Sequence, residues 1–216
     1  MNLPAASPSL TPARHATQGE ALNTYHYVLY IHLLSLFIGI GAGSVLLACL
    51  LQLRAARTLE QAVPWGMMAG KVGKFFPIAI LGLFGSGAYM TSETTFPWTW
   101  STPWIEVGIA VLVLLFVQGA GIAERTGHKL GAAMQANGPG PLGPEARRMA
   151  LHPGLWVVEF SNLGIVLGVA WNMTQKPGLG ESIAAVVVGY AVGAGLALLV
   201  TRSAREELET ATEPAA

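Results

Sequence analysis

The sequence has little charge and few of the residues that stabilise small secreted proteins. Charged residues make up 11% of the 216 positions, all twelve acidic residues are Glu, and Cys49 is the one cysteine. Soluble domains carry about 25% charged residues, so this chain has too few to cover a surface in water. A single cysteine excludes an intrachain disulfide framework. Twelve Lys and Arg balanced by twelve Glu exclude the basic patch of a nucleic-acid-binding protein.

Long apolar runs take up most of the chain instead. Apolar residues make up 52% of it, and the mean hydropathy is +0.50. A helix that crosses a bilayer needs about 20 apolar residues, and no run alternates as the strands of a membrane barrel do. We therefore predict an all-α, polytopic transmembrane helix bundle. Its five predicted spans cover residues 28–53, 75–90, 105–123, 155–171 and 183–201.

The spans form one predicted transmembrane domain, residues 25–203, between two polar ends. Residues 1–24 are rich in Pro, Ala and Ser and lack the apolar core of a signal peptide, which predicts a disordered N-terminal tail. Residues 204–216 hold four Glu and predict a polar C-terminal tail. A stretch rich in Pro and Gly, residues 136–144, predicts a flexible loop between the third and fourth spans.

Positive charge is distributed unevenly among the loops. Ten of the twelve Lys and Arg follow the first, third or fifth span, and only Arg14 and Lys176 belong to the other side. Cytoplasmic loops carry the excess of Lys and Arg, so we expect the N-terminus outside and the C-terminus in the cytoplasm. The Trp residues fall near span ends, as in the aromatic belts of membrane proteins, at positions 65, 98, 100, 104, 156 and 171.

Small residues recur four positions apart in four of the five spans. Helices associate in lipid by close packing of such residues, because lipid tails are as apolar as Leu. These pairs predict faces for neighbouring helices, and the alternative is a surface for a macrocycle, a second copy of the chain or another membrane partner. The pairs are Gly39–Gly43, Gly82–Ser86, Gly164–Gly168 and Gly189–Gly193.

Few ionisable side chains fall inside the spans, and each is a candidate functional group because its burial in lipid is costly. His32 lies in the first span, about 6 Å from its outer end. It is either a neutral imidazole hydrogen-bonded to a neighbouring helix, a ligand to haem iron or another metal, or a proton relay. His26 lies roughly 120° away around the helix, so the two histidines do not ligate one metal from one face.

Glu159 lies in the second turn of the fourth span, near its cytoplasmic end, and Asn162 follows one turn later. The carboxyl is either paired with Lys74, Arg125 or Arg202, or protonated. The alternative is a proton-handling or substrate-binding group, as in a proton-coupled transporter. The amides in the spans are expected to be ordinary interhelical hydrogen-bond donors at Gln118, Asn162 and Asn172.

A second candidate metal site lies at the outer ends of three spans. His26, Met90 and Met173 belong to the first, second and fourth spans. Imidazole and thioether groups suit copper or an axial pair on haem. Met also fills gaps in many helix bundles, and no HxxM or MxxM spacing accompanies these residues.

Three segments together resemble a family of small bacterial integral membrane proteins of unknown function, predicted to have four or five helices. They are YIHLLSLFIGIGAG in the first span, Pro77 with Gly85-Ser-Gly87 in the second, and MTQKPG at the end of the fourth. More distantly, the chain is similar to the superfamily that groups copper-resistance D proteins with the membrane protoporphyrinogen oxidase that binds haem b.

This distant resemblance implies that His32 is the helix-one histidine and a haem ligand. The haem-binding relatives use further histidines within the bundle. Here the sequence departs from that pattern, because His128 and His152 fall in or beside a predicted cytoplasmic loop.

The sequence favours a non-enzymatic integral membrane protein with a structural, partner-binding or transport-associated function. The alternative is a membrane redox protein that uses His32 to bind haem b or copper. The expected partners are the lipid bilayer and a second copy or another membrane protein, bound through the small-residue helix faces, and no nucleic acid.

Overall fold

The structure is a computed structural model that describes the backbone of residues 12–93 and 97–212 and the side chains of residues 23–93 and 97–202. Within these residues the chain is helical, and an isolated bridge between Thr58 and Pro141 is the one β pairing. Five helical stretches are long and apolar enough to cross a bilayer, which confirms the all-α fold and the number of candidate spans. They are Asn23–Ala55, Leu59–Ser92, Pro103–Asn137, Pro144–Gln175 and Leu179–Arg202.

These stretches are built from the helical elements of the described chain, several of which begin at a proline. Proline is favoured in the first turn because the N–H that it lacks has no helical partner there. The elements are α1 Pro12–Ala55, α2 Leu59–Val72, α3 Phe75–Ser92, α4 Pro103–Val117, a π-helical segment Gln118–Ala123, α5 Glu124–Asn137, α6 Pro144–Ala150, α7 Pro153–Gln175 and α8 Leu179–Thr212.

The first and last helices extend into the segments predicted as tails. α1 begins at Pro12 and α8 ends at Thr212. Adding a residue to an existing helix is much easier than nucleating a new one, so stable apolar helices continue into neighbours rich in Ala and Glu. Residues 1–11 and 213–216, which complete the two predicted tails, lie outside the described residues.

α7 is the central helix of the bundle. It packs along α8 and also contacts α1, α4 and the π-helical segment, while α1 packs against α3 on its other side. Ile165 of α7 is fully buried among Val107 and Val111 of α4 and Val186 of α8. Large apolar side chains such as Leu167 cover the outside of the bundle. Helices that are apolar on all sides suit an environment of lipid.

A second core lies at one end of the bundle, where the segments between predicted spans form helices. We call α2, α5 and α6, with the loop at residues 138–143, the cap. Ala62, Leu130 and Ala146 of the cap are buried with Leu53 of α1 and Trp156 of α7. Amphipathic helices bury one apolar face, and here the ends of α1 and α7 supply the other side of the core.

Trp156 is the exception among the residues predicted to lie in aromatic belts. It is fully buried, and its Nε1 donates a 3.1 Å hydrogen bond to the carbonyl of Ala150. Its ring stacks on Phe160, with the ring centroids 6.2 Å apart. The cap covers the end of α7 and therefore takes Trp156 away from the bundle surface.

The stretch predicted as a flexible loop is held by hydrogen bonds. The Asn137 side-chain amide donates to the carbonyls of Gly138 and Pro141, and the backbone N–H of Leu59 donates to the carbonyl of Gly140. Gly138 and Gly140 have φ angles of 68° and 103°, which glycine adopts without a steric penalty. The loop between α5 and α6 is thus held by hydrogen bonds to the end of α5 and the start of α2.

The loops at the opposite end of the bundle are also in contact. The Lys176 ammonium lies 4.2 Å from the centroid of the Trp98 ring, and Trp98 packs edge-on against Trp104. A cation over an indole face is attracted by the ring's electron density. The loop between α7 and α8 is therefore in contact with the loop between α3 and α4.

Candidate functional site

His32 is buried in the contact between α1 and α3, with 7% of its surface exposed. Its Nδ1 atom lies 2.9 Å from Ser86 Oγ, and the Ser86 hydroxyl donates to the carbonyl of Gly82. The bond joins the imidazole of α1 to the hydroxyl of α3, with either atom as the donor. The structure therefore shows a satisfied interhelical imidazole at this position.

Small residues bring α1 and α3 close enough for this bond. Ser35 lies against Gly82, where an added Cβ would overlap the serine side chain. The His32 ring lies against Gly87, where an added Cβ would be 3.5 Å from Cε1. The predicted pair Gly82–Ser86 thus faces α1, one residue giving space and the other a hydrogen-bond partner.

Glu159 is buried in α7 without a partner. Its exposed fraction is 5%, and among the described side chains it makes no hydrogen bond or ion pair. The ion pair with Lys74, Arg125 or Arg202 that was one interpretation of the sequence is not formed. A carboxyl that lacks both water and a partner is costly to ionise.

Gly43 of α1 lies against this carboxyl. A Cβ added to Gly43 would be 3.4 Å from Glu159 Oε1 and 3.5 Å from Leu163 Cδ2. Gly39, one turn earlier, lies instead against Ala79 of α3, at 3.5 Å. The two glycines were predicted to form a single helix face, but Gly39 contacts α3 and Gly43 contacts α7.

Two side-chain amides accompany Glu159. Asn162 follows one turn later on α7, and its Oδ1 atom is buried without a hydrogen-bond partner. Gln118, 8% exposed, begins the π-helical segment. Such segments are rare and occur often at functional sites. The sequence predicted ordinary donor roles for both amides, and no residue pattern signalled the π-helical segment.

Gln118 and Glu159 lie at the same level of the bundle. α4 and the π-helical segment run antiparallel to α7, and two contacts set their register. These contacts are Ile122 with Gly154 and Val111 with Ile165. Between them, the regular rise of two antiparallel helices places Gln118 opposite the turn that holds Glu159.

The glycine pairs of the fourth and fifth predicted spans lie against each other. A Cβ added to Gly164 would overlap the backbone of Gly189, and one added to Gly189 would overlap the backbone of Gly164. Gly168 has the same relation to Ala185, and Gly193 to Phe160. Near the end of this contact, Asn172 donates a 3.0 Å hydrogen bond to the carbonyl of Ser182, the interhelical donor role predicted for it.

The candidate metal ligands at the other end of the bundle show no shared hydrogen bond or ring contact. His26 is exposed, and its ring lies edge-on to Tyr25, while Met90 and Met173 are half-buried. Among the described residues, no group of three or more His, Cys, Asp or Glu is placed to hold a metal ion.

The remaining histidines whose side chains the structure describes lie at the cap end. His128 is exposed, 3.7 Å from Glu124, and His152 caps α7 by accepting a hydrogen bond from the N–H of Gly154. α1 runs for about 30 Å between His32 and the cap. A bis-histidine haem that uses His32 with either residue does not fit these positions.

Comparison with family models, curated proteins and solved structures finds no match for this chain. The family resemblance stays a prediction.

Proposed function

We propose that this chain is an integral protein of a bacterial inner membrane, non-enzymatic and transport-associated, with Glu159 as the group that takes up and releases the transported or coupling species. The carboxyl of Glu159 is buried, unpaired and adjacent to glycine. This single observation carries the proposal.

A purely structural role is a poor explanation for such a carboxyl. Intramembrane ionisable groups that stabilise a bundle pair with another group, as His32 does with Ser86. Glu159 has no such partner among the described side chains, so its burial makes the folded bundle less stable. Its surroundings suit a group that gains its partner from outside the chain.

The distribution of positive charge supports the proposed orientation. Lys71 of α2, Lys129 of α5 and Arg147 of α6 all belong to the cap. Positive charge is retained in the cytoplasm, so the cap lies inside, with the C-terminus. Glu159, near the start of α7, then lies in the inner half of the membrane.

The proposal is tested by proton flux in vesicles that contain the purified protein. A pH-sensitive dye is trapped inside, and the outside is acidified. We expect faster internal acidification with the wild-type protein than with Glu159→Gln, because the amide cannot exchange a proton. Glu106→Gln, which alters an exposed carboxyl in the first turn of α4, serves as the matched control and retains the wild-type rate. Equal rates for all three proteins and for empty vesicles would contradict the proposal.

The redox alternative has less support from the site. With Nδ1 bonded to Ser86, His32 offers Nε2 as its one ligand atom. Ligating histidines do often hydrogen-bond through their second nitrogen in this way. The other histidines of the described bundle lie at the cap end or, like His26, on the surface.

A further inference from the structure

We propose that Glu159 and Asn162 form a binding site for a hard monovalent cation, with Gln118 at the same level of the bundle. The inference rests on the proposed function and names the chemical class of the species that Glu159 binds. Its starting point is two groups one turn apart on α7: the Glu159 carboxyl, which has no hydrogen bond or ion pair among the described residues, and the Asn162 Oδ1 atom, which is buried without a partner.

The two side chains leave each other unsatisfied in the structure. An ionised carboxylate has only acceptor atoms and the Asn162 Oδ1 atom is an acceptor, while the Asn162 amide nitrogen makes no hydrogen bond to Glu159. Residues three apart on a helix lie about 5–6 Å from one another at their Cβ atoms. A positively charged species between Glu159 and Asn162 therefore satisfies both groups at once.

The ligand atoms determine the kind of cation. Carboxylate and amide oxygens bind hard ions, whereas the soft ligands Cys and Met bind copper. Met90 and Met173 belong to the other end of the bundle, and Cys49 lies on α1 beyond Gly43. The site thus offers oxygen alone, which suits sodium or potassium.

The charge of the site determines the valence. Among the described side chains, no cationic group pairs with Glu159, and no second acidic group lies on α7. One monovalent cation neutralises one carboxylate, whereas a divalent cation would leave a positive charge buried in the bundle. Uncompensated charge of that kind is costly away from water.

Gly43 provides space beside the carboxyl. A methyl group at this position would contact Oε1 at 3.4 Å and restrict the approach of a ligand. Gly41 lies two residues earlier on α1, and a methyl group there would meet nothing within 4 Å. These two glycines give a matched pair of substitutions of equal size, one beside the site and one away from it.

The first experiment compares salts on the purified full-length protein in detergent. Thermal unfolding is measured in sodium, potassium and choline chloride at equal ionic strength, since choline is too large for a site between packed helices. A bound ion stabilises the folded state by mass action. Sodium or potassium at about ten times its dissociation constant is expected to raise the Tm by roughly 3–6 °C over choline.

The variants assign this shift to the site. Glu159→Gln is expected to lose it completely, and Gly43→Ala and Asn162→Leu to need a higher concentration of the cation for the same shift. Gly41→Ala and Glu106→Gln are expected to keep the wild-type response. Because every protein is compared with itself in choline, a change in the basal stability of a variant does not affect the result.

Equal Tm values of the wild-type protein in all three salts would overturn the cation site. A shift that persists in Glu159→Gln would overturn it as well, since the ion would then bind elsewhere. Failure of the cation site is distinguishable from failure of the proposed function. If proton flux depends on Glu159 but does not change with sodium or potassium, the proposed function holds with the proton as the only species that Glu159 binds, and the cation site is wrong.

Discussion

His32 and Glu159 are buried to a similar degree, with 7% and 5% of their surfaces exposed, but only His32 has a partner among the side chains that the structure describes. Ser86 supplies a hydrogen-bond partner to the imidazole from the neighbouring helix. The Glu159 carboxyl lies beside Gly43 and makes no hydrogen bond or ion pair among the described side chains. The difference between these two residues lies in the facing helix and not in their own sequence neighbourhoods.

The role of Ser86 can be tested by removing its hydroxyl. Ser86→Ala is expected to destabilise the protein by about 1 kcal/mol, because the buried Nδ1 atom of His32 loses its hydrogen-bond partner. Ser44→Ala is the control, since Ser44 is exposed and bonds only to the carbonyl of Ile40 in its own helix. The measurement is chemical or thermal unfolding in detergent.

The same preparations separate the structural role of His32 from the redox alternative. The wild-type protein and His32→Ala are compared by absorption spectroscopy and metal analysis. We expect no Soret band and no bound copper in either protein. A band or a metal that disappears with His32→Ala would favour the haem- or metal-binding function instead.

The contact between α7 and α8 shows how whole helices are positioned. Gly164, Gly168, Gly189 and Gly193 let the two backbones touch, and lipid offers no hydrophobic driving force to replace that packing. α7 is thereby held against α8 on one side and against α1 and α4 on the others. This position of α7 is what buries Glu159.

Added methyl groups test this contact. Gly189→Ala is expected to destabilise the protein by roughly 1–3 kcal/mol, since its Cβ would overlap the backbone of Gly164 and push the helices apart. Gly195→Ala on the same helix meets nothing within 4 Å and is expected to be neutral or slightly stabilising, because Ala favours helix. Equal losses of stability in the two variants would show that the close contact is unimportant.

The cap is a feature of the whole molecule, because α1, α2, α5, α6 and α7 all contribute to its core. Arg147 of the cap donates a 3.0 Å hydrogen bond to the carbonyl of Ala56, just after the end of α1. Because this core and the cationic residues around it lie at one end only, the two ends of the bundle differ in structure. One end is a packed helical layer, and the other consists of short loops joined by Lys176 and Trp98.

The proposed orientation is tested with topology reporters in bacterial cells. Alkaline phosphatase fused after residue 216 is expected to be inactive and a fluorescent protein fused there to be bright, because the proposed orientation puts the C-terminus in the cytoplasm. Alkaline phosphatase inserted in the loop at residues 97–102 is expected to be active. An active phosphatase at the C-terminus would refute the orientation.

Much of the architecture follows from local patterns in the sequence. Apolar runs of sufficient length predict five helices, and the predicted span of residues 75–90 lies within α3, Phe75–Ser92. The glycine pairs of α7 and α8 also indicate the right contact surfaces. Periodicity and length are properties of each segment alone, so they can be seen before any packing is known.

The cap and the π-helical segment are harder to predict. α2 and α5 have too much polar sequence for a span, and their helical form depends on burying Ala62 and Leu130 in a shared core. Nothing in residues 118–123 requires the wider turn of a π-helix. These features arise from contacts between segments that are distant in the sequence.

The sequence by itself determined that this chain is a helix bundle of lipid-compatible length with His32 and Glu159 inside it, because hydropathy and spacing act along the chain. Only the tertiary structure decided which of the two has a partner. Hydrogen bonding depends on what the facing helix places within about 3 Å. For His32 that is Ser86, whereas Glu159 faces Gly43 and is left without a donor.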